Sequence, residues 1–285
     1  MIRVTTSEPA PGYEVYEVEH PLCRGRVARH GAQVMEWAPT GSGPVLYCSP
    51  RTLLQEGKAI RGGIPICWPW FANHPHDAAM PAHGFARSRF WEYDGSASDE
   101  EGVRLRFHLE DDPSTMALWP HRFRLETEIS LGERLGVRLT AINTGESPFP
   151  MGGALHSYFT IGSLAGTRIS GLETAAYFDK TGGGEQAAAN APLVLSGEVD
   201  RIYRNVGPVQ VCDSGLGRTL MIGSRGHGST VVWNPGVKKA AGMADLPAGD
   251  YEHFAAVEAA LPPGQEVVLA PGERHVMETW VGVCS

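Results

Sequence analysis

The segment VRLRFHL at residues 103–109 decides the fold class, and FRLETEISL (123–131) and LGVRLTA (135–141) continue its pattern. In each segment apolar residues alternate with polar ones, so that one side of an extended chain is apolar and the other is polar. Short turn sequences join the segments, and the last one ends at the turn sequence NTG (143–145). Three such segments in succession predict antiparallel strands with one buried face.

The rest of the chain adds further strands and little helix. Residues 49–56 and 113–118 are candidates for short helices. Residues 253–260 are helical by composition, but a turn–strand–turn sequence follows them, and we expect the sheet context to make them a strand. These features predict one all-β domain over residues 1–285, with two large, mostly antiparallel packed sheets and long functional loops. The further strand candidates are residues 14–19, 25–29, 33–38, 45–48, 167–169, 209–211, 220–222, 230–233, 266–269 and 275–283.

The composition excludes several classes of protein. The 285 residues carry a formal net charge of −8, with 24 Lys and Arg against 32 Asp and Glu. A surface for nucleic acid or an anionic membrane needs clustered basic residues, so neither partner is expected. An acidic chain can still bind a single anionic substrate where a few Arg side chains converge. The five Cys include no CxxC pair, which indicates neither a disulfide framework nor a zinc site.

The ends and apolar runs of the sequence bear on localisation. The N-terminal stretch MIRVTTSEPA lacks the basic-then-apolar pattern of a signal peptide. No run approaches the roughly 20 apolar residues of a membrane span. We therefore expect a cytoplasmic protein.

The segment AIRGGIPICWPWFANHPHDAAMPAHGFARSRFW (59–91) is the least generic part of the chain. The aromatic residues of its CWPWF run offer flat faces that stack on the C–H surface of pyranose rings. Arg61 and Arg87 can form a fork for a carboxylate or phosphate. The alternative is a rigid aromatic loop whose Arg residues pair with acidic side chains. The HPHD stretch (74–77) lacks a third ligand at a defined spacing, so we expect solvated surface there and no metal.

His156 lies in MGGALHSYF (151–159), after a Gly pair and an apolar step. If residues 154–159 form a strand, His156 and Tyr158 share one face. An ordinary histidine pKa near 6.5 suits proton transfer at neutral pH. A lone His among aromatic residues is nevertheless more often a core residue than a catalyst.

Glu258 is the most unusual single residue, because its surroundings in FAAVEAALP (254–262) are otherwise apolar. A buried carboxylate is costly without partners, and desolvation raises its pKa towards the range of a general base. Asp200 in DRIYRN (200–205) can accept hydrogen bonds from sugar hydroxyls, or it can form an ordinary surface ion pair. The sequence contains no GxSxG, Walker A, GxGxxG or HExxH motif, so no cofactor is expected.

Taken in order, RGGIPICWPWF, HGFAR, ALHSYF, DRIY, VVWNP and YEHF followed by VEAA resemble the motifs of the aldose 1-epimerase superfamily. The resemblance is closest to the glucose-6-phosphate 1-epimerases, or D-hexose-6-phosphate mutarotases, and it extends over nearly the whole chain. It implies a galactose-mutarotase-like β-supersandwich and an isomerase. It further implies a hexose phosphate as the small-molecule partner, and we expect the protein to be a monomer.

The resemblance also implies roles for individual residues. His156 would be the general acid and Glu258 the general base. His83 and Asp200 would hold ring and hydroxyl oxygens, and the phosphate would face the two Arg side chains. The residues implied to surround the substrate are Arg61, His83, Arg87, Asp200 and Trp233.

Ring opening explains why two such groups suffice. The C1 hydroxyl must lose a proton while ring oxygen O5 gains one, which a carboxylate and an imidazole on opposite sides of the acetal can achieve together. Two alternatives stay open: a mutarotase for free hexoses such as galactose, and a non-catalytic sugar-binding protein. One departure is visible, since relatives often read VWNPW where this chain has Gly236, which would loosen one wall of the pocket.

Overall fold

The computed structural model describes residues 1–74, 76–204 and 206–284. The elements in the first half of the chain are β1 (Arg3–Ala10), β2 (Tyr13–His20), β3 (Cys23–Ala28), β4 (Gln33–Pro39), β5 (Ile66–Cys67), β6 (Glu92–Asp99), β7 (Gly102–Glu110), α1 (Pro113–Leu118), β8 (Phe123–Gly132) and β9 (Arg134–Asn143). The later elements are β10 (Phe149–Met151), β11 (Gly153–Leu155), β12 (Tyr158–Thr160), β13 (Thr167–Ser170), β14 (Tyr177–Asp179), β15 (Gly184–Gln186), β16 (Leu193–Val194), β17 (Val199–Arg204), β18 (Val209–Asp213), β19 (Arg218–Arg225), β20 (Ser229–Asn234), α2 (Gly236–Ala240), β21 (Phe254–Leu261), β22 (Val267–Leu269) and β23 (Arg274–Cys284). Two 3₁₀ turns cover Ala86–Ser88 and Asp250–His253.

Nine strands form the largest sheet, in the order β16-β13-β18-β19-β23-β9-β8-β7-β6. The alternating segments are its strands β7, β8 and β9, which pair antiparallel with Val103 opposite Leu131 and Leu131 opposite Leu135. Successive side chains of a strand point to opposite faces, so Leu105 and Leu125 are buried while the intervening polar residues are more exposed. The strands predicted from the alternation are confirmed.

The second sheet has eight strands in the described residues, and β21 lies near its middle. Its path is β15-β14-β17-β20-β21-β11-β5, and β12 also pairs with β21. Every residue of β21 is buried. Small alanine side chains let neighbouring segments cover both faces of this strand, and packing of that kind overrides helical composition. The strand predicted at residues 253–260 is confirmed.

Two smaller sheets complete the described structure. Strands β1 to β4 form an antiparallel sheet in sequence order, and β10 pairs with β22. One apolar cluster joins the three larger sheets and includes Trp37 of β4, Leu105 of β7 and Val257 of β21. The expected all-β architecture with two large, mostly antiparallel sheets is confirmed, and the four-stranded sheet is an addition to it.

Two local predictions are wrong. Residues 45–48 form only isolated bridges to other segments rather than a strand of a sheet. Residues 49–56 form turns instead of a helix. The hydroxyl of Ser49 donates to the Asp245 carbonyl and accepts from the Arg51 N–H, and such local side-chain bonds compete with a first helical turn.

The helix predicted at residues 113–118 is confirmed as α1. Asp112 caps its start by accepting hydrogen bonds from two backbone N–H groups. Within the described part of the chain, no helix is long and apolar enough to cross a membrane.

Candidate active site

Glu258 lies on β21 opposite a break in the neighbouring strand. On one side its partner is Val231 of β20. On the other side β21 pairs with β11 through its last residues and with β12 through its first ones, and the chain between β11 and β12 leaves the ladder. The register is the same on both sides of this break, so His156 lies opposite Glu258, and the side chains of directly opposite residues share one face of the sheet. The sheet brings Glu258 to this place, although about 100 residues separate it from His156 in sequence.

His156 lies in the break rather than within a strand. Residues 154–159 do not form one continuous strand, since β11 ends at Leu155 and β12 begins at Tyr158. The backbone N–H of His156 donates to the Pro65 carbonyl at 3.0 Å, which continues the pairing of β11 with β5 on the side away from β21. The rings of His156 and Tyr158 nevertheless stack, with centroids 4.7 Å apart and planes within 8°.

The His156 and Glu258 side chains are in direct contact. Nε2 of His156 lies 3.3 Å from Oε1 of Glu258, and both side chains are buried. Among the described residues, neither Nδ1 of His156 nor Oε2 of Glu258 has a hydrogen-bond partner. The two groups are thus adjacent, not separated across a space as the sequence led us to expect, and each retains one buried polar atom without a hydrogen-bond partner among the described residues.

Burial changes the acidity of both groups. It raises the pKa of the Glu258 carboxyl well above its ordinary value of 4.5, with Asp200 adding to the rise and Lys180 opposing it. Burial likewise lowers the pKa of His156 well below 6.5, helped by His83 and by nearby guanidinium groups. Desolvation disfavours the charged form of each group, so both shifts favour neutral side chains.

A cavity of about 500 Å³ opens above this pair. All seven residues that the sequence singled out line its wall. They are Arg61, His83, Arg87, His156, Asp200, Trp233 and Glu258.

His83 is held by a tight turn. Its φ of 66° is left-handed, its N–H donates to the Ala72 carbonyl, and Gly84 follows with φ of 70°. A side chain at Gly84 would collide with the carbonyl of Trp68, which explains the glycine of the HGFAR motif. Burial, then the charges of Arg87 and other cations, lowers the pKa of His83 to about 3. His83 is therefore neutral at physiological pH and can both donate and accept a hydrogen bond.

Four cationic side chains line the cavity, and they differ in their partners. Arg61 pairs with Asp245 at 3.0 Å and donates to the Tyr158 hydroxyl. Among the described residues Arg87 forms no ion pair, and its Nη2 donates only to the Ala82 carbonyl at 2.9 Å. The other two cations were not predicted.

These two missed cations are lysines. Lys180 lies 3.3 Å from Asp200, and Lys239 lies 3.4 Å from Glu198. Lys180 follows β14 in a turn and Lys239 belongs to α2. In the sequence, Asp200 was predicted either to bind hydroxyls or to form an ion pair, and the structure gives it both an ion pair and a place in the cavity wall.

The aromatic residues of the CWPWF run do not all reach the cavity. Trp68 and Trp70 are buried in the core, where their indole N–H groups bond the Met151 sulfur and the Pro81 carbonyl. Their prediction as sugar-stacking surfaces is wrong, because the run turns these rings towards the core. Phe71 and Trp233 line the cavity instead.

Gly236 is required by the local backbone. Its φ is 59°, and a Cβ there would lie 2.5 Å from the amide nitrogen of Glu198. An aromatic residue at this position would displace the turn that holds Glu198, the partner of Lys239. Gly236, which stands where relatives often have the last Trp of VWNPW, therefore preserves the turn that pairs Glu198 with Lys239 at the cavity wall.

The HPHD stretch forms a local turn. His74 accepts hydrogen bonds from the N–H groups of His76 and Asp77, and Pro75 lies outside the described residues. A search of the described residues finds no group of three His, Cys, Asp or Glu side chains placed to hold a metal ion.

Comparisons with known proteins agree with this fold. The sequence pattern of the aldose 1-epimerase family matches residues 14–282. A protein of Escherichia coli named "putative glucose-6-phosphate 1-epimerase" is 33% identical over 264 residues, covering 92% of this chain and 88% of the relative. A protein of the same name from Salmonella typhimurium is 34% identical over 85% of this chain and 81% of its own length. The crystal structure of a Salmonella typhimurium protein described as a mutarotase superposes with a TM-score of 0.93 at 30% identity, covering 99% of this chain and 94% of that one.

The chain belongs to the aldose 1-epimerase family. It is an isomerase of the mutarotase type, which interconverts the anomers of an aldose.

Proposed function

We propose that this mutarotase acts on a hexose 6-phosphate, with glucose 6-phosphate as its substrate. His156 is the general acid and Glu258 is the general base. The observation that carries the proposal is the 3.3 Å contact between these side chains at the wall of the cavity, with one unpartnered polar atom on each. The names of the 33–34% identical relatives support the choice of substrate.

The two proton transfers balance without a redox step. Glu258 removes the proton of the C1 hydroxyl, His156 protonates ring oxygen O5, and the C1–O5 bond breaks to give the open aldehyde. Rotation about C1–C2 exposes the other face of the carbonyl. Closure reverses the roles, because His156 takes the O5 proton back while Glu258 returns a proton to O1. O1 and O5 are both bonded to C1, so an adjacent acid and base can reach both atoms.

The contact also supplies the starting protonation state. Burial raises the pKa of Glu258 and lowers that of His156, so it favours the state in which the pair shares one proton and carries no net charge. Transfer of this proton from the carboxyl to Nε2 gives the carboxylate and imidazolium that the reaction uses. The proton need not come from water, which favours catalysis in a buried site.

The remaining wall residues bind the sugar. His83 and Asp200 hold ring and hydroxyl oxygens, and Trp233 offers an apolar face to the pyranose. Arg61 and Arg87 face the phosphate. We assign Arg87 the principal contact because it forms no ion pair among the described residues, so its charge is available to a phosphate.

Exchange between the anomers of glucose 6-phosphate, followed by NMR, tests this function. His156→Ala and Glu258→Gln should each lower kcat by about 10²-fold or more, the range expected for loss of general acid–base catalysis. Glu252→Gln, which changes an exposed acid outside the cavity wall, is the matched control and should retain the wild-type rate. Near-wild-type rates in both site variants would contradict the assignment.

The same assay separates the alternatives. Equal kcat/KM for glucose and glucose 6-phosphate would indicate a mutarotase for free hexoses. Binding of the sugar phosphate without exchange above the spontaneous rate would indicate a sugar-binding protein.

A further inference from the structure

The imidazole of His156 lacks the hydrogen bond that usually fixes a catalytic histidine. Its Nε2 faces Glu258, and Nδ1 has no partner in the described part of the chain. Catalytic histidines are commonly oriented by a bond to the second nitrogen. Another contact must therefore hold the plane of this ring.

Tyr158 supplies that contact. Its ring lies 4.7 Å from the His156 ring, with an angle of 8° between the planes. The other rings near His156 are inclined to it by 70° for His83 and 79° for Trp233. The parallel face of Tyr158 thus sets the plane in which both imidazole nitrogens lie.

Tyr158 is itself fixed along its whole length. Its backbone N–H donates to the Gly63 carbonyl, and its ring packs against Phe254 with centroids 5.4 Å apart. At the far end of the ring, the hydroxyl accepts a hydrogen bond from Nη1 of Arg61 at 3.1 Å. A χ1 rotation that carried the ring away from His156 would break this bond, while the packing of Phe254 against the ring restrains rotation of the ring plane about χ2.

Arg61 is fixed in turn by Asp245. Its Nε donates to Oδ2 of Asp245 at 3.0 Å, and Nη2 lies 3.0 Å from the same oxygen. The backbone carbonyl of Asp245 accepts from the Ser49 hydroxyl at 2.6 Å, and the backbone N–H of Arg61 donates to the Thr52 hydroxyl at 2.8 Å. Both members of the ion pair are therefore anchored through their main chains as well as through their side chains.

We propose that Tyr158 is a positioning residue for His156 and that the Arg61–Asp245 ion pair holds Tyr158 in place. The inference rests on the proposed function of His156 as the acid. The proton on the imidazole must point at O5, and a catalytic group displaced by about 1 Å can lose about 10²-fold in rate. Arg61 thereby acts on the reaction of every sugar, whereas Arg87 acts on the phosphate.

Kinetics of Tyr158 variants test the proposal. Tyr158→Leu removes the stacked ring and should lower kcat about 10- to 100-fold, by a similar factor for free glucose and for glucose 6-phosphate. Tyr158→Phe keeps the ring and loses only the hydroxyl, so its kcat should lie between those of Tyr158→Leu and the wild type. Tyr203→Phe is the matched control, because Tyr203 is a buried tyrosine of the same sheet outside the cavity wall. Its kcat should be that of the wild type.

The ¹⁵N signals of the His156 imidazole give a second readout, which a merely structural role would not move. Asp245→Asn, which alters no atom in contact with His156, should shift these signals and lower kcat for glucose and glucose 6-phosphate by the same factor. Tyr203→Phe should leave the signals unchanged. Unchanged signals and kcat in both Tyr158→Leu and Asp245→Asn would overturn the proposal. If His156→Ala retains the wild-type rate, the proposed function fails; if that variant is inactive while Tyr158→Leu is fully active, only the positioning role fails.

Discussion

His156 and His30 are both buried histidines with lowered pKa values, yet their surroundings differ. His30 is fully buried, its ring lies 5.3 Å from that of Tyr13 and 5.1 Å from that of Phe90, and burial lowers its pKa to about 4. Within the described residues neither of its ring nitrogens has a hydrogen-bond partner. His156 instead contacts the Glu258 carboxylate and borders the cavity.

The comparison shows that burial and a shifted pKa do not by themselves make a catalytic histidine. Both rings are desolvated, which disfavours their charged forms. His156 has the Glu258 carboxyl 3.3 Å away to exchange a proton with, and it lines a space that a substrate can enter, whereas His30 forms no ion pair among the described residues and does not line the cavity. The chemistry therefore depends on the pair, which the sheet assembles from distant parts of the chain.

The largest predicted effect is on the stability of the folded protein at acid pH, and it comes from the burial of His30. The folded pKa of His30 is about 4 against 6.5 for the free group, so the unfolded state binds more protons between these values. The stability contribution is present above pH 6.5 and is lost as pH falls towards 4, by about 3 kcal/mol in all. His30→Leu should remove this loss, which urea unfolding at about pH 7 and about pH 4 would measure.

Two controls accompany that measurement. His253→Leu changes an exposed histidine and should keep the wild-type difference between the two pH values. The kcat of His30→Leu should stay within about twofold of the wild type, because His30 does not line the cavity. An unchanged difference in stability for His30→Leu would contradict the burial argument.

The sequence predicts the regular sheet better than the site for a physical reason. Segments 103–109 and 123–131 each bury one face only, and a two-residue period records that directly. β1 was not predicted, because its residues are mostly exposed or half-buried and no apolar face marks them. Residues 45–48 have a strand-like composition, but they pair with β12 only through the Leu46–Phe159 bridge and with Gly62 through a second isolated bridge, too briefly to form a ladder.

Some features of the candidate site could likewise be predicted from the sequence, and others could not. Glu258 could be predicted because a carboxylate in an apolar strand is costly, and the motif order identified His156. The break between β11 and β12 could not be predicted, because the sequence does not show which distant segments lie on either side of residues 153–160. Lys180 and Lys239 were missed because a lysine in a turn or short helix is typical of a solvated surface, and only the fold turns these two towards the cavity.

The next effect comes from the positive charge of Arg87, which is one of the cations that lower the pKa of His156. Arg87→Gln should raise KM for glucose 6-phosphate about tenfold, the loss of one charge-assisted contact of about 1.4 kcal/mol. KM for free glucose should change little. Arg89→Gln is the matched control, because Arg89 belongs to the same loop but donates to the Ser114 hydroxyl and does not line the cavity. An equal rise for both sugars would assign Arg87 to the sugar or to the catalytic pair instead of the phosphate.

The smallest predicted effect compares Glu258 with His30. The free energy of unfolding should change with pH in opposite directions for these two buried groups. The folded pKa of Glu258 is raised, so the folded state holds a proton that the unfolded state releases above about pH 4.5, and stability falls as pH rises through the folded pKa. Glu258→Gln cannot ionise, so its stability relative to the wild type should increase as pH rises above about 4.5, the ordinary pKa of the group. His30→Leu should show its gain at the acid end instead. A gap between Glu258→Gln and the wild type that does not vary with pH would mean that Glu258 is not desolvated in the folded protein, and the shared-proton pair with His156 would lose its basis.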